Sequence, residues 1–160
     1  PFYEQAIDAI PIRNHSYSIV QVHVSVFLNL VLETYFDNDV IALSEKIFRA
    51  LVTPAPWAVY AAPGTVKYLK SLGFDVLDDI VDHAYNDIPY DFFSNSNRKI
   101  IEYISSSLSN YENLQKMPLE ELTARCHEAA QHNQALLSRM QQQWPVDLAA
   151  WLPSVIAAIQ

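Results

Sequence analysis

The chain has 160 residues, of which 51% are hydrophobic and 12% aromatic, a length that suits one domain and a composition that excludes a disordered polymer. Eighteen Asp and Glu against ten Lys and Arg give a net charge of -8, which argues against broad binding to nucleic acid or to anionic membranes. A single cysteine, Cys126, excludes an intrachain disulfide and a cysteine-rich zinc site and fits a reducing compartment, so a cytoplasmic location is expected.

The sequence opens on PFYEQAIDAIP, with no basic-then-apolar leader and no initiator methionine, as expected for a piece of a larger protein. Residues 17–26 alternate, with Val20, Val22, Val24 and Val26 on one side, and predict a strand exposed on one face. The run FLNLVLE is more continuously apolar and predicts a strand buried on both faces of a parallel sheet. The stretch VHVSVFLNLVL is too short and too interrupted by polar residues to span a bilayer. FDNDV has turn chemistry. Ser44 is placed to cap a helix that runs to about Val52 with Ile47, Ala50 and Leu51 inward, and TPAP stops it. WAVYAA is a second β-type run, Pro63-Gly64 predicts a turn, Thr65 the cap of the helix VKYLKSLG, and Gly73 its C-terminal stop. FDVL predicts a third short strand. Strand, helix, strand, helix, strand in this order implies a mainly parallel sheet with helical crossovers.

Past residue 79 the sequence becomes helical, in NRKIIEYISSSL and in PLEELTARCHEAAQHNQALLSRMQQQW. The second helix carries Leu119, Leu122, Cys126, Ala129, Leu136 and Met140 near one stripe, with Pro118 and Pro145 framing it. The final segment adds Trp144, Trp151, Leu152, Val155 and Ile156, an apolar tail whose cover is expected from another domain or subunit. The expected division is an α/β unit over residues 1–116 and C-terminal helices over 117–160.

Some apparent motifs carry no chemistry. In HEAAQH the histidines are five apart, which turns them by about 140° on a helix, so they do not share a metal as a zincin pair does. Asp78, Asp79, Asp82 and His83 read as a charged helix end, and Cys126 lies on an apolar stripe. With only Gly64 and Gly73, the chain has no glycine-rich phosphate loop.

LSEK is the stretch that points to function. A lysine in the first turn opposes the helix dipole unless an anion sits beside it. A helix start after the carboxyl end of a parallel strand is where open α/β sheets bind ligands. Its free amides favour phosphate, a carboxylate there suits a ribose diol, and Glu33 ends the preceding strand on the same rim.

The pattern FLNLVLETYF…IALSEKIFRALVTPAPWAVYAAPGTVKYLKSLGF resembles the C-terminal, donor-binding half of GT-B glycosyltransferases. It is most similar to fucosyltransferase-like enzymes and their phage and bacterial relatives, over about residues 27–85. The resemblance implies a Rossmann-like fold with a helical C-terminal region and a nucleotide sugar as substrate rather than a resident cofactor. It also implies nucleotide-sugar binding by Glu45 and Lys46 and, through the earlier acidic position, Glu33, with Ser44 between them. No metal is expected, since Lys46 and the helix amides would stand in for a cation. A GT-B enzyme needs an N-terminal acceptor domain that 160 residues do not hold, so the isolated chain is expected to be inactive and its catalytic base is unassigned. Two other readings stand beside this one. The chain is a non-catalytic glycosyltransferase-like module that binds another subunit in a larger assembly such as a virion, or it shares only generic α/β sheet logic with that family.

Overall fold

The computed structural model describes residues 27–34, 36, 40–89 and 96–159, with backbone alone for 96, 97 and 144–159. The strand predicted over residues 17–26 lies outside these. In chain order the elements are β1 (Asn29–Leu32), α1 (Glu45–Val52), β2 (Trp57–Tyr60), α2 (Thr65–Ser71), a 3-10 turn (Ala84–Asp87), α3 (Ser96–Leu114) and α4 (Leu119–Ile159). The described chain is a mixed α/β structure with one small sheet, in which β1 and β2 run parallel with Asn29 opposite Trp57 and Leu32 opposite Tyr60.

The β1–α1–β2 unit forms as its sequence dictates. The Ser44 side chain accepts the Lys46 N–H and caps α1, while Ile47, Ala50 and Leu51 are buried. Val31, Trp57 and Val59 point to one side of the sheet and join α1, Leu69 of α2 and Leu122, Cys126 and Ala129 of α4 in the main core. Ala58 and Tyr60 point to the other side, where Tyr85 and Tyr103 cover them. α2 ends at Gly73, whose φ of 92° is a left-handed stop, with Phe74 N–H donating back to Leu69 O.

Four expectations are corrected. β1 is not buried on both faces, because Leu30 and Leu32 are 56% and 58% exposed; Tyr103 covers β2 but does not extend over β1. FDVL forms no strand, because its backbone is taken by side chains. Asn133 Oδ1 accepts the Asp75 N–H at 2.8 Å, and Asn133 Nδ2 donates to Asp75 O at 2.8 Å and to Leu51 O at 2.9 Å. Thr65 does not cap α2. Gly64, at φ 78°, holds the cap position, Thr65 Oγ1 donates to Ala62 O, and Asn86 Oδ1 accepts the Val66 N–H from across the chain.

Pro145 does not end α4, which runs 41 residues through both Pro145 and Pro153. An interior proline costs a helix about 3 kcal/mol, and the Gln-, Leu- and Ala-rich flanks are good helix formers that oppose this cost. Of its predicted stripe Leu122, Cys126 and Ala129 are buried, whereas Leu119 and Met140 are exposed. The side chains of the apolar tail lie outside the described residues.

α4 holds the segment after α2 through its polar face. Arg125 makes two hydrogen bonds to Asp75 and two to Asp79, and His132 donates to Gly73 O at 2.8 Å. Burial works against ionising Asp75, but the Arg125 bonds, the Leu77 N–H and the nearby positive charge together outweigh it and hold its carboxyl below the usual range. Replacing Asn133 by Leu strands three backbone groups, and equilibrium urea denaturation is expected to show a loss of about 3 kcal/mol or more. Asp79→Ala, at the exposed end of the Arg125 network, is expected to cost less than about 1 kcal/mol.

Candidate functional site

Because β1 and β2 are parallel, their carboxyl ends open on one edge, and α1 begins beside it. Three of the four predicted site residues meet there. Glu33 is 5% exposed and accepts from Ser44 N–H at 3.2 Å and from Ser44 Oγ at 2.5 Å. Ser44 Oγ therefore donates to Glu33 while accepting the Lys46 N–H at 3.2 Å, which ties the end of β1 to the start of α1. The Lys46 ammonium turns back over the strand end and donates to Leu32 O at 3.0 Å, with Thr34 Oγ1 at 3.5 Å. Glu45 is exposed and stands apart from this cluster.

Sequence reasoning missed the edge's second cation. Lys99, in the first turn of α3, is 2% exposed and donates to Ala61 O, just past β2, at 2.6 Å. A longer bond of 3.4 Å reaches Phe36 O, and the ammonium lies 5.7 Å from the centre of the Tyr60 ring, which favours a cation. Burial alone draws the Lys99 pKa down to about 8. Among the described residues the ion pairs are Lys67–Asp87, Lys70–Asp78 and those of Arg125, so neither Lys46 nor Lys99 is paired with a carboxylate.

Lys99 was hidden because α3 is turned against its apolar pattern. Its buried stripe is Lys99, Tyr103, Ser107, Asn110 and Leu114, while Ile100, Ile101, Ile104 and Leu108 are exposed. The legible signal was the helical spacing of Lys99 with Tyr103, Ser107 and Leu114, not hydropathy. Around Lys99 the aromatic rings close together, with Tyr60 and Tyr103 centroids 5.4 Å apart and Tyr85 and Tyr103 5.3 Å apart. Burial raises both the Tyr85 and Tyr103 hydroxyls, the latter to about 12.

The other singled-out residues disperse. His127 bonds to Thr123 O in its own helix, whereas His132 reaches Gly73 O. Asp78 pairs with Lys70, Asp79 with Arg125, and Asp82 accepts the Ala84 N–H. His83 is buried beside Trp57 with Nε2 on Val76 O at 2.9 Å, and burial lowers its pKa. It lines an open groove of about 230 Å³ in which Lys67 and Lys70 face their own aspartates, unlike the lysines of the sheet edge. Cys126 is core, and burial pushes its thiol up to about 11. Among the described residues no three His, Cys, Asp or Glu side chains gather as a metal site, and no helix is long and apolar enough to cross a membrane.

No family model, curated protein or solved structure matches this chain.

The folded pKa of Lys99, about 8, lies below the unfolded value of about 10.4, so between these the unfolded chain holds more protons. The penalty for burying the charge is complete below pH 8 and is relieved as pH rises. The stability of the native chain minus that of Lys99→Met is therefore expected to increase from about pH 8 to 10, as measured by urea denaturation. Taking the difference cancels the opposing ionisation of Cys126 and the tyrosines, and a flat difference would contradict the assignment.

Proposed function

We propose that the chain is the nucleotide-sugar-binding, donor half of a GT-B-type glycosyltransferase, its sheet belonging to a larger Rossmann-like domain. The observation that carries this reading is the Glu33–Ser44–Lys46 cluster, which fixes a helix start and, at the carboxyl edge of a parallel sheet, an ammonium that no carboxylate among the described residues pairs. In this reading Lys46 leaves Leu32 O to neutralise a diphosphate, and the exposed Glu45 accepts hydrogen bonds from the two hydroxyls of a ribose diol. Glu33, which takes two bonds from Ser44, holds the helix start and keeps acceptor capacity for the ligand. Sugar transfer then requires a second domain to bring the acceptor and its base.

Calorimetric titration with GDP and UDP tests the reading. Binding is expected, and Lys46→Ala is expected to weaken it by about 1.5–3 kcal/mol, roughly 10- to 150-fold. No binding at millimolar nucleotide would retire the proposal, and equal binding by the variant would remove Lys46 from it. Affinity is expected to survive EDTA. Asp37 and Asp39, outside the described residues, have the spacing of a carboxylate pair on a metal, so loss of binding in EDTA would transfer the diphosphate from Lys46 to a cation there.

A second reading, a non-catalytic module that docks on another subunit, is favoured by the exposed Ile100, Ile101, Ile104 and Leu108 of α3 and the exposed Leu30 and Leu32 of β1. It predicts no nucleotide binding, and self-association in sedimentation that Ile101→Lys with Ile104→Lys abolishes.

A further inference from the structure

We propose that Lys99 is a second, buried cation of the carboxyl edge, acting through space on the same phosphate anion that Lys46 contacts. This rests on the reading that the edge binds a nucleoside diphosphate. The two ammonium groups lie at the ends of neighbouring strands, one on Leu32 O and the other on Ala61 O. Leu32 stands opposite Tyr60, so these carbonyls belong to residues offset by one position across one strand spacing, on the order of 6 Å apart.

A lysine this buried is expensive to keep charged unless something negative offsets it. Two backbone carbonyls and the Tyr60 ring stabilise the ammonium, but none of them carries a charge. Among the described residues the groups facing it are Tyr60 from β2, Tyr103 from its own helix and Tyr85 from the 3-10 turn behind Tyr103, and Tyr85 and Tyr103 both remain neutral well above pH 8. Glu33, the buried acid of this edge, is engaged by Ser44. Among the described residues no free carboxylate faces Lys99, and an anion at the strand ends is the counter-charge we assign to it. Lys99 is too enclosed to be the residue that grips it; Lys46, exposed and reversible, does that, and Lys99 sets the potential beneath.

Such coupling has a signature that a packing role does not. An anion near Lys99 raises its pKa, so binding at about pH 8.5 draws a fraction of a proton from solution, although the terminal phosphate is already ionised. Calorimetry of GDP and UDP in two buffers of different ionisation enthalpy measures that proton. Native chain and Lys46→Ala are both expected to take it up per ligand bound, and Lys99→Met to take up none while binding about tenfold more weakly. Lys99→Arg is expected to restore affinity without proton uptake. Inorganic pyrophosphate serves as the second probe. If it binds with the same Lys99 dependence while neither nucleotide binds, the anion site stands and the nucleotide reading falls. If a nucleotide binds without proton uptake by the native chain, Lys99 is not coupled to it and this proposal is overturned while the nucleotide reading survives. Should Lys99→Met fail to fold, the native chain's proton uptake decides alone. Absence of binding by both probes overturns the proposal as well.

Discussion

The carboxamide of Asn133 lies against the backbone of Asp75 as another peptide group would, accepting its N–H and donating to its carbonyl. Asn110 does the same to Asp82, with bonds of 2.8 and 2.9 Å. Asn86 takes the Val66 N–H at the start of α2, and the Tyr85 hydroxyl takes the Val59 N–H from within β2. Buried backbone groups must find partners, and each lost bond costs about as much as a sizeable fraction of a small domain's stability. In the described chain a two-stranded sheet cannot provide them, so side chains from α3, α4 and the 3-10 turn complete it.

That device decides how the helices are oriented. α3 must turn Asn110 towards Asp82, and a helix that presents Asn110 inward also presents Ser107, Tyr103 and Lys99, which lie on the same stripe. The isoleucines are consequently left outside. Lys99 is thus carried to the end of β2 by the same rotation that satisfies the loop, and a structural requirement at one end of α3 places a cation at the other. Lys99 thereby joins Lys46 at the strand ends of a chain whose net charge is -8.

Local chemistry explains what was legible in the sequence. Ser44 before an apolar-periodic run, Gly73 after one, and the inward set Ile47, Ala50 and Leu51 are all short-range signals, and the structure places each as expected. The meeting of Glu33 and Ser44 across eleven positions followed from strand-end and helix-start logic. What was not legible depended on long-range partners. FDVL has strand composition, yet Asn133, 58 positions away, occupies the backbone groups a strand would need. Thr65 has cap chemistry, yet Asn86 performs that task from outside the helix. α3 misled because hydropathy ranks isoleucine above lysine for burial, whereas the polar stripe had bonds to make.

The most direct test of this account is amide hydrogen exchange read residue by residue. If side-chain carboxamides replace sheet pairing, the Asp75, Asp82 and Val66 N–H groups, bonded to Asn133, Asn110 and Asn86, exchange as slowly as the Glu33 N–H bonded to Tyr60 O at the end of the β1–β2 ladder. Exchange of all three at the rates of exposed loop amides, with the ladder protected, would contradict it.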